Sequence, residues 1–133
     1  MYLLDTNICI YALKGKYAQI PRKLLSIPPE ETKISAVTVM ELEYGAAKSK
    51  WGERSREAMH AFLASFDTLP FTVEDAALCG SLRARLAMAG TPIGAYDIMI
   101  AAQGILRGLT IVTHNTGEFQ RVPGIKVEDW AED

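Results

Sequence analysis

The sequence predicts an α/β fold: a mainly parallel sheet with helices on both faces. Three observations predict it. Short strand-like runs alternate with helical stretches along the chain, the pattern of βαβ units whose crossovers cover both faces of a parallel sheet. The run Leu109-Thr110-Ile111-Val112-Thr113 is the clearest buried strand, compact and rich in β-branched residues. Pro28-Pro29, Gly90-Thr91-Pro92 and Gly124 punctuate the chain, with no internal repeat and no linker between them.

The elements follow in order. Tyr2-Leu3-Leu4 is a short apolar run that stops at Asp5, a first strand. Residues 7–14 and 18–26 read as helices, broken near Gly15 and restarted around Pro21, a good first-turn residue. Residues 33–37 alternate as a strand does. Thr38 with Glu41 three residues on has capping-box spacing, so a helix is expected over 38–50. Residues 53–66 put Ala58, Phe62, Leu63 and Phe66 on one helical face. Residues 68–71 read as an edge strand, because Pro70 argues against a central one. Thr72 with Asp75 starts another helix, in which Leu78, Leu82 and Leu86 recur every four residues up to Gly90. Residues 95–107 form a helix ended by Gly108. After the strand at 109–113, residues 125–128 read as a last strand.

At 133 residues, 49% hydrophobic and 23% charged, the chain is expected to be one globular domain over 1–133. Disorder, collagen-like repeats and low-complexity arrays are excluded. Cys9 and Cys79 form no Cys-x-x-Cys pair, which suggests a reducing compartment. No apolar run approaches a membrane span, and MYLLDTN lacks the basic start of a signal peptide. A cytoplasmic protein is expected. The net charge of −2 hides an asymmetry: Glu128, Asp129, Glu132 and Asp133 are four of the 16 acids. Setting them aside leaves 12 acids against all 14 Lys and Arg in residues 1–127, a net of +2. The body is mildly basic, and the acidic end reads as a solvated terminus.

In open sheets of this kind, ligands bind beyond the carboxyl ends of the strands. Asp5 follows the first strand. Glu41 lies in the first turns of the helix after the second. Asp97 lies near the start of the helix leading into the 109–113 strand, and Thr113, His114 and Asn115 end that strand. Three carboxylates and one amide, distant in sequence, are thus expected at one edge of one sheet. No Lys or Arg adjoins any of them in sequence. Each has a simpler role open to it: Asp5 as a helix cap, Glu41 closing its capping box, Asp97 favouring a helix N-terminus, Asn115 with Gly117 forming a turn. Chance must then place every one at the same end of the sheet. Converging carboxylates either raise one another's pKa or recruit a cation. Oxygen ligands without imidazole favour Mg²⁺ or Mn²⁺ over zinc, and the matching chemistry is metal-assisted phosphodiester hydrolysis.

Four segments carry a resemblance: MYLLDTNICIYAL, ISAVTVMELEYGA, GTPIGAYDIMIAAQ and LTIVTHNTGEFQRVPGIKVEDW. In their order and spacing, over residues 2 to 130, they resemble the PIN-domain ribonucleases, and more closely the VapC toxins of bacterial toxin–antitoxin pairs. The resemblance implies a three-layer α/β/α sandwich with about five strands, and an Mg²⁺-dependent endoribonuclease (Mn²⁺ serving as well) held inactive by a VapB-type antitoxin. It implies Asp5, Glu41 and Asp97 as the acidic site residues, with Asp5 and Asp97 as direct metal ligands. Asn115 falls where many members carry a fourth acid. A neutral amide there adds no anionic charge, which favours one ion over two. Thr6, Asn7 and Thr113 fall where the family places small polar groups beside the acids, and are expected to hydrogen-bond them. Relatives cut transfer RNA or ribosomal RNA loops, and close-looking ones favour the initiator transfer RNA anticodon loop.

Other residues offer weaker signals. Lys48, Lys50 and Arg54, with Arg56, flank Trp51 in a basic, aromatic-containing stretch suited to RNA; the alternative is a solvated helix connection. Lys14, Lys16, Arg22 and Lys23 form a similar but weaker stretch. His60 and His114 have no metal-ligand partner at useful spacing. Tyr11, Leu13, Leu24, Leu25, Met40 and Tyr44 exceed what a small sheet needs from its early helices. They suggest an exposed apolar groove for a partner helix or a homodimer face. Competing functions are a PIN nuclease in RNA processing without an antitoxin, a phosphatase-like α/β domain and a catalytically dead binding module. The phosphatase reading wants a second Asp two residues after the first, where this chain has Asn7. The dead module wants a lost acid, and none of the three is lost.

Overall fold

A computed structural model describes residues 1–50 and 52–131. The chain runs β1 (Tyr2–Leu4), α1 (Thr6–Lys14), α2 (Gln19–Leu25), a 3₁₀ turn (Pro29–Glu31), β2 (Thr32–Ser35), α3 (Ala36–Ser49), α4 (Glu53–Ala64), β3 (Asp67–Leu69), α5 (Val73–Met88), α6 (Ala95–Arg107), β4 (Thr110–Val112), α7 (Thr116–Phe119) and β5 (Val127–Glu128). The five strands form one sheet in the order β3-β2-β1-β4-β5, and all four pairings are parallel. β3, the strand that precedes Pro70, lies at an edge as expected.

The strands are apolar on both faces because helices cover both. Neighbouring residues of β1 go to opposite cores. Leu3 packs with Ile111, Ile100, Leu82 and Leu86 beneath α5 and α6. Leu4 packs with Ile34, Val112, Ile8 and Met59 on the side of α1, α3 and α4. Each such side chain, fully buried, contributes about 1.5–3 kcal/mol. The two layers make the predicted α/β/α sandwich. α6 sits very close to β4: a Cβ on Gly104 would stand 2.5 Å from Ile111 Cδ1, so only glycine permits this approach without a shift.

Register levels the strand ends. Leu4 stands opposite both Ile34 and Val112, and Asp5 N donates to Val112 O at 3.0 Å. Asp5, Ser35 and Thr113 therefore share the carboxyl edge.

Three expectations need correction. α3 begins at Ala36, two residues before the expected start, because the Ser35 hydroxyl caps it by accepting from Val37 N at 2.9 Å. Thr38 is fully buried and caps nothing; the β-branched Val37-Thr38-Val39 run hid the true start. α7 takes the place of the turn that Asn115 with Gly117 offered as the simpler alternative. The C-terminal segment is not a solvated tail. Trp130 is buried edge-on to Tyr2, ring centroids 5.1 Å apart, and Asp129 Oδ2 accepts from His114 Nδ1 at 2.8 Å. Glu132 and Asp133 lie outside the described residues. The capping box at Thr72 and Asp75 is formed as expected. No helix among the described residues is long and apolar enough to cross a membrane.

Candidate active site

Asp5 is both a cap and a buried acid. Its Oδ1 accepts from Ile8 N at 2.8 Å, starting α1, and its side chain is almost wholly buried. Burial pushes its pKa up to about 6, although hydrogen bonds from Thr113 and Ile8 oppose this; the charges of Glu41 and Asp129 add to the rise. Thr113 is positioned to serve Asp5 because its Oγ1 already accepts from Asn115 N at 2.9 Å. Its own proton is then free for the carboxylate.

Glu41 points the same way from the second turn of α3. Thr6 Oγ1 donates to Glu41 Oε1 at 2.6 Å and lies 3.1 Å from Thr38 Oγ1. A hydroxyl has one proton, and that of Thr6 goes to Glu41, so Thr38 donates to Thr6. This buried relay across α1 and α3 fixes one carboxylate oxygen and leaves the other free.

Asp97 is the third residue of α6. Its pKa is pushed up to about 7, by burial first, then by the charges of Glu118, Asp5 and Glu41 and by a hydrogen bond with Glu118. These shifts bring together Asp5, Glu41 and Asp97, three acids from three separate segments. They also reveal a fourth that the sequence reading missed.

Glu118 stands in α7, one turn beyond Asn115. Its Oε1 accepts from Gly94 N at 2.7 Å, and its Oε2 accepts from Asn115 Nδ2. A Cβ at Gly94 would stand 3.2 Å from Asp97 Oδ2 and 3.5 Å from Glu118 Oε1, so glycine lets the backbone close on both acids. Asn115 is exposed, and its amide touches Glu118. The argument that its neutrality leaves the site one acid short therefore fails: the fourth carboxylate is one helical turn on. The missed signal was an acid three residues after a residue able to cap a helix, and Gly117 between them disguised it.

None of these four acids is in an ion pair among the described residues. No ready-made group of three His, Cys, Asp or Glu metal ligands exists among them either. The donor chemistry nonetheless fits a hard divalent cation: carboxylate oxygens only, partly desolvated and mutually repelling. Thr6 and Thr113 take the expected supporting places. Asn7 does not: it is exposed, and no side-chain hydrogen bond from it to the acids occurs among the described residues.

The weaker candidates separate. Lys48, Lys50 and Arg54 are exposed; Lys48 lies roughly 10 Å along α3 from Glu41, at 1.5 Å per residue. Trp51 lies outside the described residues. Arg56 donates to Ala46 O at 3.0 Å, joining α4 to α3. His60 bonds Glu43 at the surface, 2.8 Å away. His114 packs against Tyr11 and Tyr17, and Lys16 Nζ lies 4.9 Å from the Tyr11 centroid. The single apolar groove expected over α1–α3 is two features. Leu24 and Leu25 line an apolar groove of about 390 Å³ with Pro21, Ile27, Phe62 and Phe66. Met40 and Tyr44 belong instead to a cleft at the acids.

Residues 2–125 match the PIN domain family. The chain is 44% identical over 130 residues to the tRNA(fMet)-specific endonuclease VapC of Shigella flexneri, covering 98% of each. It is 38% identical over 129 residues to a ribonuclease VapC of Haemophilus influenzae, covering 97% of each. Among solved structures it is similar to DNA-bound VapBC from Salmonella typhimurium, with a TM-score of 0.90, 42% identity and 97% of each chain covered. On that family match and these likenesses over nearly the full length, the chain belongs to the PIN-domain family, among the VapC ribonucleases.

Proposed function

We propose that this chain is the toxin of a type II toxin–antitoxin pair, an endoribonuclease that needs Mg²⁺ or Mn²⁺ and cuts RNA by hydrolysis. The single observation that carries this is the convergence of Asp5, Glu41, Asp97 and Glu118 at the sheet edge without a paired cation. Asp5 and Asp97, whose charged forms are the most costly when unpaired, would hold the cation. Bound there, it would neutralise charge on the scissile phosphate and make water a better nucleophile. Glu41, fixed by Thr6, orients the attacking water with its free oxygen and takes up its proton. Glu118 and Asn115 hold Asp97 in place. Because water attacks, the 2′-hydroxyl takes no part, and cleavage leaves a 5′-phosphate and a 3′-hydroxyl.

The name of the Shigella relative supports initiator transfer RNA as the substrate, cut in its anticodon loop. The VapBC assembly of the Salmonella structure supports a VapB-type partner here. The groove at Leu24 and Leu25 suits one apolar helix face of such a partner, and a basic side chain reaching the acids would compete with the cation. Action on cellular RNA, together with the free thiols of Cys9 and Cys79, favours the cytoplasm.

The test is cleavage of initiator and elongator transfer RNA in Mg²⁺ and in EDTA, with the new ends sequenced. One cut in the initiator anticodon loop, bearing a 5′-phosphate and lost in EDTA, supports the proposal. Cleavage indifferent to EDTA, or none, refutes it.

A further inference from the structure

A cleft of about 340 Å³ opens beside the acids, lined by Met40, Glu41, Tyr44 and Tyr96. Tyr44 is 62% exposed and Tyr96 48%. Neither ring is needed by the core. Each is tied to an acid: Tyr44 lies three residues after Glu41 on α3, and Tyr96 immediately precedes Asp97 on α6. Met40 and Tyr44 are four residues apart, so they form one stripe of α3. Lys48, four residues further, holds its Nζ 5.7 Å from the Tyr44 centroid.

We propose that Tyr44 and Tyr96 form a stacking site for one nucleobase of single-stranded RNA, next to the phosphate that the acids cut. The proposal rests on the nuclease reading above and names how its substrate is held. Glu41 is a wall of both the cleft and the acid cluster, so a nucleotide seated in the cleft is adjacent to the reacting phosphate. Every base has a π-face, and exposed aromatic rings bind it with little regard to sequence. Lys48, one turn beyond Tyr44, offers a cation to a neighbouring phosphate. The lining differs from that of the Leu24–Leu25 groove, which is apolar, with two phenylalanines among aliphatic side chains and no charged group, and suits a helix face. The cleft has two phenol rings with polar ends and a carboxylate wall. A base with apolar faces and polar edges matches that lining, whereas an aliphatic helix face leaves the carboxylate and hydroxyls unpaired.

The test uses the Asp5→Asn protein, expected to leave RNA intact, and anticodon-loop RNA oligonucleotides carrying 2-aminopurine at successive loop positions. Stacking predicts quenching at one position, abolished by Tyr44→Ala or Tyr96→Ala and kept by Tyr44→Phe. In the otherwise unmodified protein, Tyr44→Ala is expected to raise KM roughly tenfold with kcat little changed. Unchanged quenching and KM in the Tyr44→Ala, Tyr96→Ala double variant overturn the stacking site alone. So does a loss of dimer on sedimentation with RNA affinity unchanged, which assigns the face to a second copy of this chain. An unmodified protein that cuts no RNA overturns the nuclease reading, and this proposal with it.

Discussion

Asn115 donates its side-chain amide to Glu118 across the first turn of α7. The residue at the expected fourth acidic position thus supports an acid rather than replacing it. Glu118 is thereby aimed at Asp97, with Gly94 N holding its other oxygen. Removing the carboxylate charge is expected to matter more than removing the amide that steadies it. Glu118→Gln should lower kcat by roughly a hundredfold and Asn115→Ala by roughly tenfold, measured by cleavage of initiator transfer RNA. The reverse order contradicts this assignment.

The raised acids make metal-free stability depend on pH. Asp5 and Asp97 titrate near 6 and 7 in the fold, against 3.8 for the unperturbed group. Between those values the folded state keeps protons that the unfolded chain has released, so stability falls as pH rises through the window. The penalty is absent below the lower limit and complete above the upper one. Asp97→Asn removes one of the repelling charges. In EDTA it should melt a few degrees above the parent at about pH 8 and level with it at about pH 4. Differential scanning calorimetry checks both points, and a lower Tm at the higher pH would count against the repulsive cluster.

Arg107 forks onto both oxygens of Asp75, at 2.7 and 3.1 Å. Asp75 is fully buried, while Arg107 is 27% exposed. Burial alone would raise the carboxyl pKa, but Arg107 and the Thr72 cap hold it below its ordinary value. Arg107→Ala leaves a buried carboxylate without its partner and should cost about 3 kcal/mol. Urea unfolding reads this directly, and the loss should shrink as pH falls through the depressed carboxyl pKa, where the pair no longer contributes.

Leu25 is 89% exposed on the apolar groove, so the fold does not need it. Leu25→Asp should change stability by no more than about 0.5 kcal/mol. It should weaken binding to a VapB-type antitoxin roughly tenfold or more, read by calorimetry, while cleavage by the free chain stays unchanged. Unaltered antitoxin affinity would remove the groove from the interface.

Much of this was legible in the sequence, for physical reasons that differ by residue. Asp5 was readable because it ends an apolar strand, and Asp97 because it opens a long amphipathic helix. The periodic Leu78, Leu82 and Leu86 located α5, and Leu82 and Leu86 are buried. The true start of α3 was hidden because β-branched residues favour strands locally, while a Ser cap and two-sided packing overrode that preference. Glu118 was hidden because a four-residue helix has no periodicity to read. The Thr38–Thr6–Glu41 relay joins residues 32 and 35 positions apart, a distance that only the folded sheet closes.

The central claim is that the acids gathered from four segments of the chain form a site for a divalent ion, whose charge offsets their burial and mutual repulsion. Titration of Mn²⁺ into the metal-free protein at about pH 6, in two buffers of different ionisation enthalpy, tests it most directly. The account predicts saturable uptake with proton release, as Asp5 and Asp97 give up the protons that burial and repulsion make them keep, and loss of both in Asp97→Asn. Absence of uptake by the unmodified protein, or equal uptake by the variant, would contradict it.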